Sequence, residues 1–311
     1  MDGTRCPACD STSLETLESV DVAKQHKFYA PDNVTIQKEL TEAASATCLI
    51  YERLRCKQCA LEFASPLKAP TSEWYAIAYR AMNLYPMDRW EFGEVIRHIR
   101  PGERIFEIGC GSGMFLEKCR EAGIAAEGID FNDASVAACK AKGLNATRMH
   151  AGEQDASKTF DHIAAFQVIE HLDNPREVLF RASRMATKET HLWVSVPSDR
   201  YIVRLRGETE FLDLPPHHMS RWSPKALAAI GSATGWELSE LAYEPVSLRK
   251  ALWHITRESK LFKRYSKNWQ FEPRRLEYPF HIAALPYSLV KRMTSDRDFS
   301  GVTMLAHYTT S

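Results

Sequence analysis

Residues 106–113 read FEIGCGSG, and the organisation of the chain is decided there. The stretch ends a short apolar run, ERIFEIG (103–109), and opens MFLEKCREAG, whose apolar positions recur at helical spacing as far as Gly123. This is a strand, a glycine turn and a helix. The glycines stand at 109, 111 and 113, whereas a dinucleotide fingerprint places its third glycine at position 114, here Met114. Glu107 directly precedes them; a carboxylate there repels a phosphate and attracts an ammonium group. The loop therefore suits a ligand with a cationic end. IAAEGID (124–130) reads as a second strand ending on Asp130, where a carboxylate can accept both hydroxyls of a ribose.

Outward from this unit the same alternation continues. Asn132 or Asp133 caps a helix that stops at Gly143, and FDHIAAFQ (160–167) and HLWVSVP (191–197) are further strands. Asn174 with Pro175 opens the helix PREVLFRASRMA, and Ser223 with Pro224 repeats that signal before PKALAAIGSATG. WELSELAY (236–243) and the terminal VTMLAHYTT complete the strands. Strands alternating with helices imply an α/β fold with a parallel, doubly wound, Rossmann-like sheet. The 311 residues suffice for such a domain plus a small accessory one; 44% hydrophobic and 26% charged residues exclude a disordered, collagenous or coiled-coil chain. Forty basic residues cancel forty acidic ones. That balance disfavours nucleic acid as a partner without forbidding it. No apolar run reaches the roughly 20 residues of a membrane-spanning helix, and MDGTRCPAC has no signal-peptide pattern. Eight cysteines without a secretory signal point to a reducing, cytoplasmic setting.

Cys6 and Cys9 form CPAC, and Cys56 and Cys59 form CKQC. Two residues between cysteines let both thiolates of one tight turn face a single ion, and two such turns complete a tetrahedral S4 site suited to zinc. Unrelated cysteines or redox dithiols are the alternatives. The pairs define a zinc-ribbon domain over residues 1–70, followed by residues 71–311. The segment between them (10–55) receives no assignment, and His26 within it reads as a surface residue.

EIGCGSG, GID at 128–130 and FDHIAAFQVIEHLDNP at 160–175 together resemble the class I S-adenosylmethionine-dependent methyltransferases, over residues 85–245. The resemblance implies that Glu107, Gly109, Cys110, Gly111 and Gly113 approach the methionyl part of the cofactor. It implies that Asp130 holds the ribose, Phe131 packs on adenine, and Phe166, Gln167 and Val168 line the sulfonium. AGEQDA (151–156) takes the place of the adenine-edge contacts, with Gly152 and Glu153 departing from the commoner Gly-Asp pattern. A cysteine ribbon joined to this core is similar to bacterial enzymes that methylate sugars or natural-product precursors. A zinc-carrying ribosomal RNA methyltransferase combines the same parts, so layout alone does not select the acceptor.

The acceptor side shows one dense polar cluster, LPPHHMSRWSP (214–224), on the carboxyl side of the expected sheet. A hydroxyl must lose a proton as it attacks a methyl carbon, and histidine, with an ordinary pKa near 6.5, can take it. His217 and His218 are the candidates, and on an extended segment only one of them faces the site. His171 is a third candidate, and His162 reads as packing. Residues 246–297 form an insertion, read as a helical lid, in which Lys and Arg interleave with Trp, Phe and Tyr. It could grip an anionic acceptor, touch a membrane surface peripherally or stack bases. The expectation is methyl transfer to a small-molecule hydroxyl; RNA methylation and a non-catalytic cofactor-binding scaffold are the rivals.

Overall fold

The first element of the computed structural model, β1 (Leu14–Asp21), begins directly after the first cysteine turn. The structure describes residues 3–82, 88–154, 157–201, 204, 211–245 and 300–311; the insertion at 246–297, with its expected lid, lies wholly outside them. Asp21 caps α1 (Val22–Tyr29) by accepting from Lys24 N, and Asn33 caps α2 (Val34–Ser45) by accepting from Ile36 N. These helices occupy the unassigned segment between the cysteine pairs. β2 (Ile50–Cys56) returns antiparallel to β1, and β3 (Glu62–Ser65) pairs with β2 across the second cysteine turn. α3 (Ser72–Met82) then packs Trp74, Tyr75, Ile77 and Ala78 against Val22, Tyr29 and Leu40 of the first two helices. The core around the ribbon helices thus reaches past the expected boundary at residue 70.

The larger sheet begins after α4 (Trp90–Ile96) with β4 (Arg104–Ile108), α5 (Met114–Glu121), β5 (Ala125–Asp130), α6 (Asp133–Ala141) and β6 (Ala146–Arg148). β7 (Phe160–Phe166), α7 (Pro175–Arg184) and β8 (Ala186–Pro197) follow. Asn132, Asn174 and Ser223 each accept the expected capping hydrogen bond. β9 (Ser220–Arg221) leaves the large domain to pair with β3, and α8 (Pro224–Ala233), β10 (Trp236–Tyr243) and β11 (Thr303–Thr310) complete the chain. Among the described residues the sheet runs β10-β11-β8-β7-β4-β5-β6. It is doubly wound as expected, but mixed: β11 alone runs against its neighbours β8 and β10. A strand entered by a hairpin from β10 must reverse direction, and the sequence pattern of VTMLAHYTT carries no sign of that.

Strand order turns at β4, flanked by β5 on one side and β7 on the other, which opens a crevice at the carboxyl ends of β4 and β7. One apolar cluster joins the ribbon to the sheet, with Cys6, Leu54, Leu61 and Phe63 packed into the same core as Ile108, Ile163, Val194 and Trp236. α8 lies tightly on the sheet, because a β-carbon at Gly231 would meet Tyr308 Cε1 at 2.6 Å and the Trp236 carbonyl oxygen at 3.1 Å. Overpacking of this kind costs about 1–3 kcal/mol. Gly231→Ala is expected to lower the urea midpoint accordingly without changing the slope; an unchanged midpoint would show that α8 rides higher on the sheet than described.

Candidate active site

The three glycines of the loop do two different jobs. A β-carbon on Gly109 would meet Val168 Cγ2 at 2.5 Å, and one on Gly113 would meet Leu144 Cδ1 at 2.6 Å and Cys139 Sγ at 2.8 Å. These two are glycines because the protein packs against them. A β-carbon on Gly111 would meet nothing within 4 Å among the described residues, so the open side of the loop is there. Asp130 fixes that residue: its Oδ2 accepts from Gly111 N and its Oδ1 from Asn132 N, both at 2.9 Å. Burial pushes the Asp130 carboxyl up, and the two backbone donors work against that. Phe131, 36% exposed, stacks beside His150 at the rim. The turn after β6 stands beside Asp130, whose carbonyl accepts from Met149 N. Gly152 N donates to Gln154 Oε1 there, and Glu153 turns its carboxylate onto His150 N.

Two of the expected cofactor residues point elsewhere. Phe166 packs its ring against Phe92 and Phe115, with centroids 5.1 and 4.8 Å apart, so its backbone alone faces the crevice. Cys110 turns inward, where its sulfur would lie 3.1 Å from a β-carbon on Gly128. A motif does not show which of two neighbours faces the core. Gln167 takes a left-handed φ of 55° and donates its N–H to the Ser195 carbonyl oxygen at 2.9 Å. It is held there by its side chain on Ser195 Oγ, which in turn donates to Glu91 Oε1.

Glu107 is buried with Oε2 lacking a hydrogen-bond partner, and burial, reinforced by Asp130, raises its carboxyl far above the usual range. Arg89 offsets the same effect at Glu107, Glu91 and Glu170. A fixed cation thus faces three buried carboxylates. Glu107 is the one that meets the glycine loop, where an incoming ammonium group would supply its missing donor.

On the other side of the crevice the structure brings His171, His217 and His218 together. Their ring centroids lie 5.4 Å (171–217), 4.8 Å (171–218) and 4.9 Å (217–218) apart. The expectation that one histidine faces the site and its neighbour turns away fails, because Leu214–His218 is a turn: the His217 and His218 N–H groups both donate to the Leu214 carbonyl. Burial holds all three below their ordinary value, His171 at about 3, so none is the histidine with a pKa near 6.5 expected from sequence. Around them stand residues that sequence reasoning missed. Tyr75 donates to the His217 carbonyl oxygen at 3.3 Å, and Tyr29, Trp74 and Tyr79 surround the His217 ring at 6.0–6.3 Å. The spacing of Tyr75 and Tyr79, four apart on a helix, was the available signal. Burial raises the Tyr79 hydroxyl to about 12, with Glu170 and Asp130 both acting on it, so this ring stands between the two halves of the site. Two other histidines have settled roles. His162 packs as expected, with Nε2 3.0 Å from Glu103 Oε2. His26, read as a surface residue, is fully buried between Thr41 Oγ1 and the Trp74 indole N–H.

The four cysteines of the two pairs also converge. Cys6 and Cys59, and Cys9 and Cys56, lie with sulfurs 3.5 Å apart, and all four sulfurs are within 4.8 Å of one another. Tetrahedral zinc with thiolates at about 2.3 Å sets sulfurs about 3.8 Å apart. The turns match: Asp10 N donates to the Cys6 carbonyl and Ala60 N to the Cys56 carbonyl, and Asp10 and Ala60 both take left-handed φ near 60°. The hydrogen bond between Cys6 and Cys59 lowers the Cys6 thiol and raises its partner. The donor set fits zinc.

Glu170 has both carboxylate oxygens buried without a partner, and burial raises its carboxyl to about 8. Its folded value lies above its unfolded one near 4.5, so the folded chain holds the extra proton and stability is lost as pH rises between them. Glu170→Gln removes that dependence. The melting temperature of the variant relative to the parent should therefore climb from pH 5 to pH 8, by the equivalent of a few kcal/mol. A constant difference would show that Glu170 is ionised in the fold.

A methyltransferase domain model matches residues 89–241. The chain is 28% identical over 184 residues to the ubiquinone biosynthesis O-methyltransferase of Azorhizobium caulinodans, covering 54% of this chain and 73% of that one. It is 23% identical over 164 residues to the enzyme of the same name from Hahella chejuensis, covering 47% and 69%. A crystal structure of a SAM-dependent methyltransferase from Archaeoglobus fulgidus superposes with a TM-score of 0.49 at 19% identity, covering 70% of this chain and 91% of that one. With the acidic glycine loop, Asp130 and the match across β4 to β10 in place, the chain is an S-adenosylmethionine-dependent methyltransferase carrying a Rossmann-like methyltransferase domain.

Proposed function

We propose that the enzyme methylates a hydroxyl group of a small molecule, such as a sugar or natural-product precursor, and that Cys6, Cys9, Cys56 and Cys59 hold one structural zinc. The observation that carries the first part is the set of buried polar atoms without partners beside the crevice. Glu170 Oε1 and Oε2, His217 Nδ1 and the Tyr29 hydroxyl all lack hydrogen bonds, enclosed by aromatic rings. Unpaired buried polar atoms are costly, and a compact hydroxylated molecule would satisfy them. A nucleic-acid strand would instead call for an open basic groove, so this enclosure favours the small molecule. The relatives named for O-methylation favour oxygen as the methylated atom.

Bound S-adenosylmethionine supplies a sulfonium methyl group open to in-line displacement. Glu107 would take the ammonium group, Asp130 the ribose hydroxyls, and Phe131 the adenine face. The protein's own contribution is positioning and exclusion of water. Tyr29, Trp74, Tyr75 and Tyr79, all from the ribbon side, close the acceptor half. The hydroxyl proton passes to the His171–His217–His218 cluster, whose neutral rings offer free lone pairs.

Asp130→Ala is expected to weaken cofactor binding by at least tenfold in calorimetry, because it removes both the ribose acceptor and the anchor of Gly111 N. Gly111→Val fills the open side of the loop and should weaken binding too; unchanged affinity in both variants would move the cofactor elsewhere. Asn in place of His171, His217 or His218 should lower turnover by about 10²–10⁴ while leaving cofactor affinity intact. Because the three rings meet, all three losses should be large; three mild effects would remove the cluster from the reaction.

A further inference from the structure

We propose that His171, His217 and His218 form a second metal site, for a divalent cation of the zinc class, separate from the four cysteines. One ring nitrogen from each lies within 4.8 Å of the other two. The remaining nitrogens show how the rings are held. His171 Nδ1 lies 2.7 Å from the His217 carbonyl oxygen, which can only accept, so Nδ1 carries the hydrogen and Nε2 keeps its lone pair. His218 Nδ1 lies 3.3 Å from Asp213 Oδ1, and Asp213 is itself gripped by Arg204, with Nε 2.9 Å from Oδ2. That again leaves Nε2 of His218 free. His217 Nδ1 is buried with no partner. A ligating imidazole characteristically donates its other N–H to a backbone carbonyl or a carboxylate, and here one does each.

One nitrogen from each of the three rings lies close enough to the other two for a single cation between them to take a bond from each. Imidazoles without thiolates suit zinc, cobalt or nickel rather than magnesium or calcium. Zinc–nitrogen bonds of about 2.0–2.1 Å set the nitrogens about 3.4 Å apart, so the rings close by roughly an ångström on binding. Three protein ligands leave a fourth position open, which an oxygen of the acceptor can take. With the ion bound the ring lone pairs are engaged, so the ion replaces the free rings in the role given above: it lowers the pKa of the bound hydroxyl, whose proton leaves to water. That an acceptor oxygen fills the open position rests on the methyl-transfer reading above; binding of the ion does not.

The test is a cobalt titration of the full chain after removal of bound metal, followed by absorption. Two equivalents are expected. The first, at the cysteines, brings an intense thiolate charge-transfer band; the second adds only weaker visible bands. His218→Ala and His171→Ala should each retain the first equivalent and lose the second. A parent protein that stops at one equivalent, or a second equivalent that persists in both variants, overturns the site. Loss of methyl transfer when only the second ion is withdrawn, restored by zinc, supports the role in acceptor binding. Turnover unchanged by that withdrawal overturns the role. Two equivalents without transfer to any hydroxylated acceptor would count against the proposed reaction and leave the site standing.

Discussion

Ser223 makes two hydrogen bonds that tie the protein together. Its hydroxyl oxygen accepts from Ala226 N and so caps α8, and the same hydroxyl donates to the Cys59 carbonyl at 2.8 Å. A few residues earlier, Met219 N donates to the Glu170 carbonyl at 2.7 Å while its own carbonyl accepts from Ala64 N at 2.8 Å. The run from Leu214 to Ser223 is therefore threaded between the cysteine turns and the end of β7. The histidine cluster depends on this clamp: it sets where His217 and His218 lie relative to His171, and it brings the ribbon helices over them.

The ribbon accordingly serves the site through its helices rather than its cysteines. Tyr29 and Tyr75 reach the histidines because α1 and α3 pack on one another through Trp74, and His26 fixes Trp74 by taking its indole N–H at 3.1 Å. Burying a histidine there costs the charged form, and His26 is held down to about 4. An ion at the four cysteines would stabilise the turn that carries Cys59, and through Ser223 that stabilisation reaches the helix behind the acceptor site.

What could be read from the chain beforehand was whatever depends on short spacing. The glycine loop, Asp130, the two cysteine pairs and the caps at Asn174 and Ser223 are local patterns whose chemistry follows from neighbours a few residues away. The lining of the acceptor side was not legible in that way. Tyr29, Tyr75 and Glu170 matter only because β9 crosses to the ribbon sheet, a pairing of two residues with no periodic signal. The errors have the same origin. His26 was assigned to the surface because a single polar residue on an amphipathic helix says nothing about what packs over it. Phe166 and Cys110 show the same limit: a motif marks a neighbourhood, and the side of the backbone that each ring or thiol takes is settled by Phe92, Phe115 and Gly128.

The hairpin of β10 and β11 has a consequence for how such an enzyme can change. Tyr243 pairs with Met304, and Glu244 N donates to the Thr303 carbonyl at 2.9 Å, so the strands are zipped to the point where the 246–299 segment leaves and returns. Both ends of that segment are thereby held side by side by the sheet itself. Lengthening a loop whose ends are already joined adds only about 0.6 kcal/mol per doubling. The connection is therefore a slot into which evolution can insert, delete or exchange sequence with little penalty to the rest of the protein.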